Sequence, residues 1–183
     1  STRVQAGYST GSGSHVMMSV TNGSVTISDM TITGATSVGG AQAVNQTGGV
    51  VTLDRMRISG NNASSLGGTY GPVYVQNATM TVRDSEISGN TATSTSGSVY
   101  GSGLAVYAGT VSVVNSTIAD NTANGIDWAF GGGVWAGQNS GVTVTASTIA
   151  GNRQNAPNMR GAALYQQTGS SGNVKTAESI IAD

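Results

Sequence analysis

One phrase returns six times along this chain: an alternating apolar stretch, a polar or small residue and then an isoleucine, followed in four copies by an asparagine three places later. The copies begin at Val25, Val51, Met80, Val111, Val142 and Val174, so successive starts are 26, 29, 31, 31 and 32 residues apart. Self-similarity at this period is typical of stacked repeats, in which each unit buries its apolar face against its neighbours. The spacing therefore predicts a solenoid.

Each copy of the phrase has the pattern of a strand with one buried face, because its first and third positions are mostly apolar and its second is mostly a hydroxyl residue. The eighth position is isoleucine in every copy, and a second short strand, such as GPVYVQN or GGGVWAG, precedes most of the phrases. We therefore expect two or three short strands in each repeat. No segment has useful helical periodicity. We expect an all-β, right-handed parallel β-helix of about six coils without substantial helix, forming a single domain over residues 1–183. The last copy stops before its asparagine would occur, so we expect a fragment of a longer repeat protein.

An asparagine stands at the eleventh position of four copies: Asn61, Asn90, Asn121 and Asn152. An asparagine side chain bonds readily to backbone groups in turns. The four residues therefore predict a ladder of amides along one corner of the solenoid.

The composition excludes several classes of function. Only 8% of the residues are charged, the net charge is −1, and no basic run is present, so neither a nucleic-acid partner nor direct membrane insertion is expected. There is no cysteine and a single histidine, His15, which disfavours disulfides and transition-metal sites. We predict no metal and no cofactor. The charge-poor surface, rich in Gly, Ser, Thr and Asn, is typical of extracellular and cell-surface proteins.

The repeats resemble the parallel β-helices of bacterial surface proteins, above all autotransporter passenger regions and polymorphic outer-membrane proteins. Those families carry an F-x-x-N motif, which here takes the form Ile58-x-x-Asn61 and its three later equivalents. Their glycine motif, GGA followed by an aliphatic residue, is matched by Gly132-Gly133-Val134 and more weakly at Gly103-Leu104 and Gly161-Ala162-Ala163-Leu164. The resemblance implies a secreted or surface-anchored rod used in adhesion, with glycans or other host or cell-surface polymers as partners.

Charged residues cluster in the early copies, where they admit two interpretations. Aligned positions stack Asp29, Arg55 and Asp84, while Asp54 aligns with Arg83, and Arg57 aligns with Glu86. Opposite charges on neighbouring strands stabilise a sheet, so this pattern predicts ion pairs between coils. The alternative is a polysaccharide lyase or glycoside hydrolase of the same fold, with Asp29, Asp54 and Asp84 as its weak catalytic candidates.

Aromatic residues recur in the strand before each phrase. Tyr74, Trp135 and Tyr165 occupy aligned positions, and in the intervening coil Tyr107 lies two residues after the aligned Ala105. This alignment predicts an outward aromatic stripe on which sugar rings could stack. The segments 62–70, 91–102, 122–131 and 153–161 are predicted as long loops that add Tyr70, Tyr100, Trp128 and Phe130.

Two outcomes stay open for the stripe: it binds a glycan, or the loops fold over it as a satellite core. The candidate ligand-binding residues are Tyr74, Tyr107, Trp128, Trp135 and Tyr165. The function favoured by the sequence is an extracellular or cell-surface structural or adhesive rod, with glycan binding as its candidate activity. The polysaccharide-degrading enzyme stays open as the alternative, although the sequence favours a protein without enzyme activity. A minor alternative is ice binding by the Thr and Ser column at the second position, which the charged and irregular fourth position disfavours.

Overall fold

The computed structural model describes residues 2–5, 17–38, 43–168 and 172–183, and these residues form strands and turns without any helix. The N-terminal strand and the first turn of the solenoid contain β1 (Thr2–Gln5), β2 (Met18–Val20), β3 (Ser24–Ser28), β4 (Met30–Thr33) and β5 (Thr36–Val38). The second turn contains β6 (Val44–Gln46), β7 (Val50–Asp54), β8 (Arg57–Ser59), β9 (Asn62–Ser65) and β10 (Thr69–Tyr70).

The later turns repeat this order of strands. The third turn contains β11 (Val73–Gln76), β12 (Thr79–Arg83), β13 (Glu86–Ser88), β14 (Thr91–Ser94) and β15 (Val99–Tyr100). The fourth contains β16 (Leu104–Tyr107), β17 (Thr110–Val114), β18 (Thr117–Ala119), β19 (Thr122–Asn124) and β20 (Trp128–Phe130). The fifth contains β21 (Val134–Ala136), β22 (Gly141–Thr145), β23 (Thr148–Ala150), β24 (Arg153–Asn155) and β25 (Asn158–Arg160), and after it come β26 (Leu164–Gln166), β27 (Val174–Ala177) and β28 (Ile180–Ile181).

Strands of successive turns pair in parallel and build five sheets, which are numbered here in the order in which each turn passes through them, starting from β2. The first sheet is β2-β6-β11-β16-β21-β26, the second β3-β7-β12-β17-β22-β27 and the third β1-β4-β8-β13-β18-β23-β28. The fourth is β5-β9-β14-β19-β24 and the fifth β10-β15-β20-β25. The protein is thus an all-β parallel solenoid of about five turns, close to the six predicted.

The register of the sheets follows the repeated phrase. In the third sheet Ile58 pairs with Ile87, which pairs with Ile118, and this column runs on to Ile149. The column from Ile32 to Ile149 has no exposed surface, and Val and Leu residues of the first and second sheets pack against it. Because a turn of the solenoid cannot bury these side chains alone, stacking of turns supplies the core.

The predicted loops 62–70, 91–102, 122–131 and 153–161 are wrong, because each contains two strands. These strands form the fourth and fifth sheets, so a full turn has five strands rather than the two or three expected. The inward side chains there are small, and they form a second core that consists of Ala63, Ala92, Val99, Ala123 and Ala129. Alanine and threonine do not give the alternating apolar signal by which strands are recognised in a sequence.

The predicted asparagine ladder is confirmed. The side-chain amide of Asn90 donates to Oδ1 of Asn121 at 2.9 Å and to the carbonyl of Ile58 at 3.0 Å, and the same pattern links Asn61 to Asn90 and Asn121 to Asn152. Each Oδ1 also accepts a backbone N–H from the turn before it, as Asn121 does from Asn90. The four asparagines are buried, and these hydrogen bonds satisfy their amide groups where water cannot reach them.

The asparagine ladder lies at the narrow junction between the main core and the second, alanine-rich core, and this junction is called the neck below. A Cβ atom on Gly133 would lie 2.8 Å from Nδ2 of Asn152, 2.9 Å from Cγ2 of Ile149 and 2.5 Å from the carbonyl oxygen of Ala163. Gly103 stands against Asn121 and Ile118 in the same way. The glycine motif of the sequence is therefore explained by the close approach of the chain as it returns from the fifth sheet to the first.

Candidate functional site

The candidate site lies at the corner between the fifth sheet and the first. The chain turns this corner through Gly101, Gly131 and Gly161, whose φ angles of 62°, 61° and 60° suit glycine best. The core-facing side chains at either side, such as Val99 and Val134, are fully buried. The alternate side chains of these strands point away from the core. Those of the fifth sheet and those of the first sheet therefore meet on the outside of the corner.

All eight aromatic residues in the described part of the chain meet at this corner. Tyr70, Tyr100 and Phe130 form a column in the fifth sheet, with ring centroids 5.4 and 5.5 Å apart. The first sheet contributes Tyr74, Trp135 and Tyr165 in the predicted register, with Ala105 between the first two. Contacts such as Tyr70 with Tyr74 (4.5 Å) and Phe130 with Tyr165 (5.4 Å) join the columns into one aromatic cluster, which also includes Tyr107 and Trp128.

Trp135 is the buried centre of the aromatic cluster. Its ring lies 4.9 Å from that of Tyr100, 5.8 Å from that of Tyr70 and 6.3 Å from that of Tyr107, and the residue is only 3% exposed. The indole lies over Gly137, where a Cβ atom would come within 2.3 Å of Cη2. The predicted outward direction is correct, but neighbouring rings cover this side chain, so it cannot serve as an open platform.

A groove opens at the side of the cluster that faces the last turn. It encloses about 340 Å³ and is lined by Trp128, Phe130, Tyr165 and Tyr100, together with the edge of Trp135. The Trp128 and Phe130 rings are 5.4 Å apart and nearly parallel, with an interplanar angle of 5°. Both residues are half-buried, so their rings are held by packing and still reach solvent.

Polar side chains complete the groove: Arg160, Gln167 and Thr168. The guanidinium carbon of Arg160 lies 5.2 Å from the centroid of the Trp128 ring, which is a cation–π distance. Arg160 pairs with Phe130 in the fifth sheet, so the aromatic column of that sheet ends in an arginine. A concave, largely aromatic surface with a few polar groups is typical of a small-ligand site.

The opposite end of the cluster contains Tyr70 and Tyr74, which are both half-buried. Burial raises the pKa of the Tyr74 hydroxyl well above its usual value, and the neighbouring Tyr70 adds to this effect. The pKa of Tyr70 is raised by burial as well. Both hydroxyls are therefore held in the neutral form and can act as hydrogen-bond donors across the physiological pH range.

Two of the carboxylate candidates, Asp29 and Asp54, form ion pairs. Nε and Nη2 of Arg55 donate to the two oxygens of Asp29 at 2.7 and 2.8 Å, and this interaction holds the Asp29 pKa below its usual value. Asp54 is almost buried, with Arg55 Nη1 at 2.5 Å and Arg83 Nε at 3.0 Å. The predicted pair between Arg57 and Glu86 is also present, at 3.6 Å. These contacts favour a structural role for the charges.

The third candidate, Asp84, interacts with the next turn instead of with Arg55. It accepts a hydrogen bond from the Asn115 side chain at 2.6 Å. Asp29, Arg55, Asp84 and Asn115 share the fifth position of the repeat, where φ lies between 46° and 59°. Asp and Asn adopt this left-handed conformation more readily than most residues, which gives a conformational reason for their presence. Sequence reasoning missed this turn, although the Asp and Asn residues were its signal.

No group of three or more potential metal-binding side chains occurs among the residues described here. Within the same residues, no helix is long and apolar enough to span a membrane. His15 lies outside the described residues.

The fold and the corner site together define a parallel β-solenoid repeat protein with an aromatic groove. Comparison of the chain with protein-family models, with curated proteins and with solved structures gave no match. The resemblance to autotransporter passengers and polymorphic outer-membrane proteins is thus supported at the level of the β-helix alone.

Three of the five predicted ligand-binding residues line the groove, and the other two do not. Trp128 and Tyr165 line it, Trp135 reaches it from the buried centre, and Tyr74 and Tyr107 lie elsewhere in the cluster. Their role in binding stays a prediction. Arg160 was not among the predicted residues, although its alignment with Phe130 was visible once the fifth sheet was known.

Proposed function

We propose that this chain is a non-enzymatic saccharide-binding solenoid, in which the aromatic groove holds sugar rings and the stacked turns form a rigid support. The observation that carries the proposal is the near-parallel pair of half-exposed rings, Trp128 and Phe130, which lines the groove together with Tyr165. The apolar C–H face of a pyranose packs on such rings, while its hydroxyls need polar partners at the edges. Arg160, Gln167 and Thr168 are suitable partners.

The rigidity of the groove supports this proposal. The backbone of Arg160 is fixed by its carbonyl, which accepts from the Gln154 side chain at 3.0 Å and from the N–H of Gly131 at 2.9 Å. The rings themselves stand on paired strands and pack on one another. A preformed site loses little conformational entropy when a ligand binds, which matters for sugars because each contact with them is weak.

An extracellular or cell-surface location and a role in adhesion belong to the same proposal. They rest on the charge-poor surface and the absence of cysteine in the sequence, together with the elongated solenoid architecture.

The enzyme alternative receives less support, because Asp29 and Asp54 are neutralised by arginines and Asp84 accepts a hydrogen bond from the Asn115 side-chain amide. The ice-binding alternative receives little, because the Asp54–Arg83 pair interrupts the outward face of the second sheet.

The experiment is a binding survey of the purified protein on a panel of neutral and acidic oligosaccharides. We expect at least one saccharide to bind, and we expect Trp128→Ala and Tyr165→Ala each to weaken that binding about 10-fold through loss of a stacking ring. Leu66→Ala is the matched control, because Leu66 is 74% exposed and does not line the groove. Absence of binding across the panel, or binding that both variants leave unchanged, would overturn the proposal.

A further inference from the structure

The charge distribution around the groove points to a particular class of saccharide. We propose that the groove selects saccharides that carry an anionic group, a carboxylate or a sulfate, and that Arg160 is the residue that recognises it. This inference rests on the proposed function, since it assigns the ligand class of the same groove. It starts from the distribution of the few charged residues in the chain.

Most arginines with described side chains are already committed to carboxylates. Arg55, Arg57 and Arg83 form ion pairs with Asp29, Glu86 and Asp54 where the second sheet meets the third. Among the residues that the structure describes, Arg160 takes part in none of these pairs. Among the described residues that line the groove, it is the one that carries a charge.

The position of Arg160 suits recognition of an anion next to a stacked sugar ring. Its guanidinium carbon Cζ lies over the Trp128 ring, 5.2 Å from the ring centroid. A planar guanidinium that stacks on an aromatic ring keeps its N–H groups in the plane, where they can bond two oxygens of a carboxylate. A sugar on the groove rings would place a carboxylate or sulfate substituent beside these donors.

The energetic argument favours an anionic ligand over a neutral one. A hydroxyl could accept from Arg160, but a bond between two charged groups is stronger than a bond to a neutral oxygen. Arg160 is exposed, so solvent screens the pair and limits its contribution. We therefore expect an acidic saccharide to bind roughly 3- to 5-fold more tightly than its neutral counterpart.

Calorimetric titration with matched ligands tests the inference. The pairs are an oligogalacturonate with its carboxyl-reduced neutral form, and a sulfated oligosaccharide with its desulfated form. The wild-type protein should prefer the anionic member of at least one pair, and that pair identifies the group. The preference should shrink as NaCl is added, because salt screens an exposed ion pair and leaves stacking unchanged.

Variants distinguish Arg160 from general surface charge. Arg160→Gln should abolish the preference, because it should weaken binding of the anionic member much more than binding of the neutral member. Arg160→Lys should recover only part of the preference. Arg153→Gln is the matched control, because Arg153 is an exposed arginine of the same turn that lies outside the groove lining. It should leave the preference intact.

The outcomes separate this inference from the proposed function. Equal affinity of the wild-type protein for both members of each pair, or a preference that survives in Arg160→Gln, would overturn the inference. The proposed function would then stand if Trp128→Ala still weakened binding. Failure of every saccharide to bind the wild-type protein would overturn both.

Discussion

The ring of Tyr100 lies 4.9 Å from the ring of Trp135, although the two residues belong to different turns and different sheets of the solenoid. This contact joins the aromatic column of the fifth sheet to that of the first. It also explains why Trp135 is 3% exposed while Trp128, at the rim, remains half-exposed. The corner therefore has a packed interior and an open groove at its side, and the following predictions test its support and its chemistry.

The asparagine ladder should contribute strongly to stability. Asn90→Ala removes the donor to the Ile58 carbonyl and the acceptor for the Asn61 backbone N–H, which leaves buried groups unpaired. We expect the free energy of unfolding to fall by roughly 2–3 kcal/mol. Urea unfolding measures this, with the exposed Asn62→Ala as control. A loss as small as that of the control would show that the ladder is dispensable.

The neck between the cores should not tolerate a side chain at Gly133. In Gly133→Ala the new methyl group would collide with the Ala163 carbonyl and with Asn152 of the ladder. We expect a loss of roughly 1–3 kcal/mol in thermal or urea unfolding, as for other overpacked sites. Gly67→Ala is the control, because no atom lies within 4 Å of its Cβ position. Equal stability of the two variants would contradict the described approach of the chain.

The half-buried tyrosines Tyr70 and Tyr74 should make the stability of the protein sensitive to alkali. Because burial raises the pKa of Tyr74 in the folded state, its contribution to stability is fully present below the unfolded pKa of about 10. That contribution is lost as the pH rises above this value. Urea unfolding at a series of alkaline pH values should therefore show a smaller loss of stability for Tyr74→Phe than for wild type.

Absorbance at 295 nm supplies an independent check of the tyrosine prediction. The folded protein should retain protonated tyrosine above the pH at which the urea-unfolded chain is fully ionised. Coincident titration curves for the folded and unfolded protein would contradict the burial of Tyr70 and Tyr74.

The carboxylates should affect stability rather than catalysis. Asp54 is almost buried between Arg55 and Arg83, so Asp54→Asn should cost roughly 1–3 kcal/mol of unfolding free energy. Asp84→Asn should cost less than about 1 kcal/mol because Asp84 is exposed. Reducing-sugar release from a panel of polysaccharides provides the second measurement. Release that is lost in either variant would revive the hydrolase or lyase interpretation.

The repeated phrase was sufficient to predict the register of the second and third sheets, because Val, Ile and Asn recur at fixed positions and stack with themselves. It also aligned Tyr74, Trp135 and Tyr165 correctly. The fourth and fifth sheets escaped prediction because their inward residues, such as Ala92 and Ala123, carry no apolar alternation. The burial of Trp135 depends on contacts with rings from the fifth sheet across the corner, and no local sequence pattern predicts such contacts.

The central claim is that a saccharide occupies the aromatic groove, and quenching of tryptophan fluorescence by acrylamide tests it most directly. The chain has two tryptophans, of which Trp135 is buried and Trp128 reaches solvent at the groove. We predict that at least one saccharide of the panel reduces quenching in the wild-type protein, and that it has no effect in Trp128→Phe, where only Trp135 remains. Quenching that no saccharide changes, or a saccharide that binds and leaves Trp128 as accessible as before, would contradict the account.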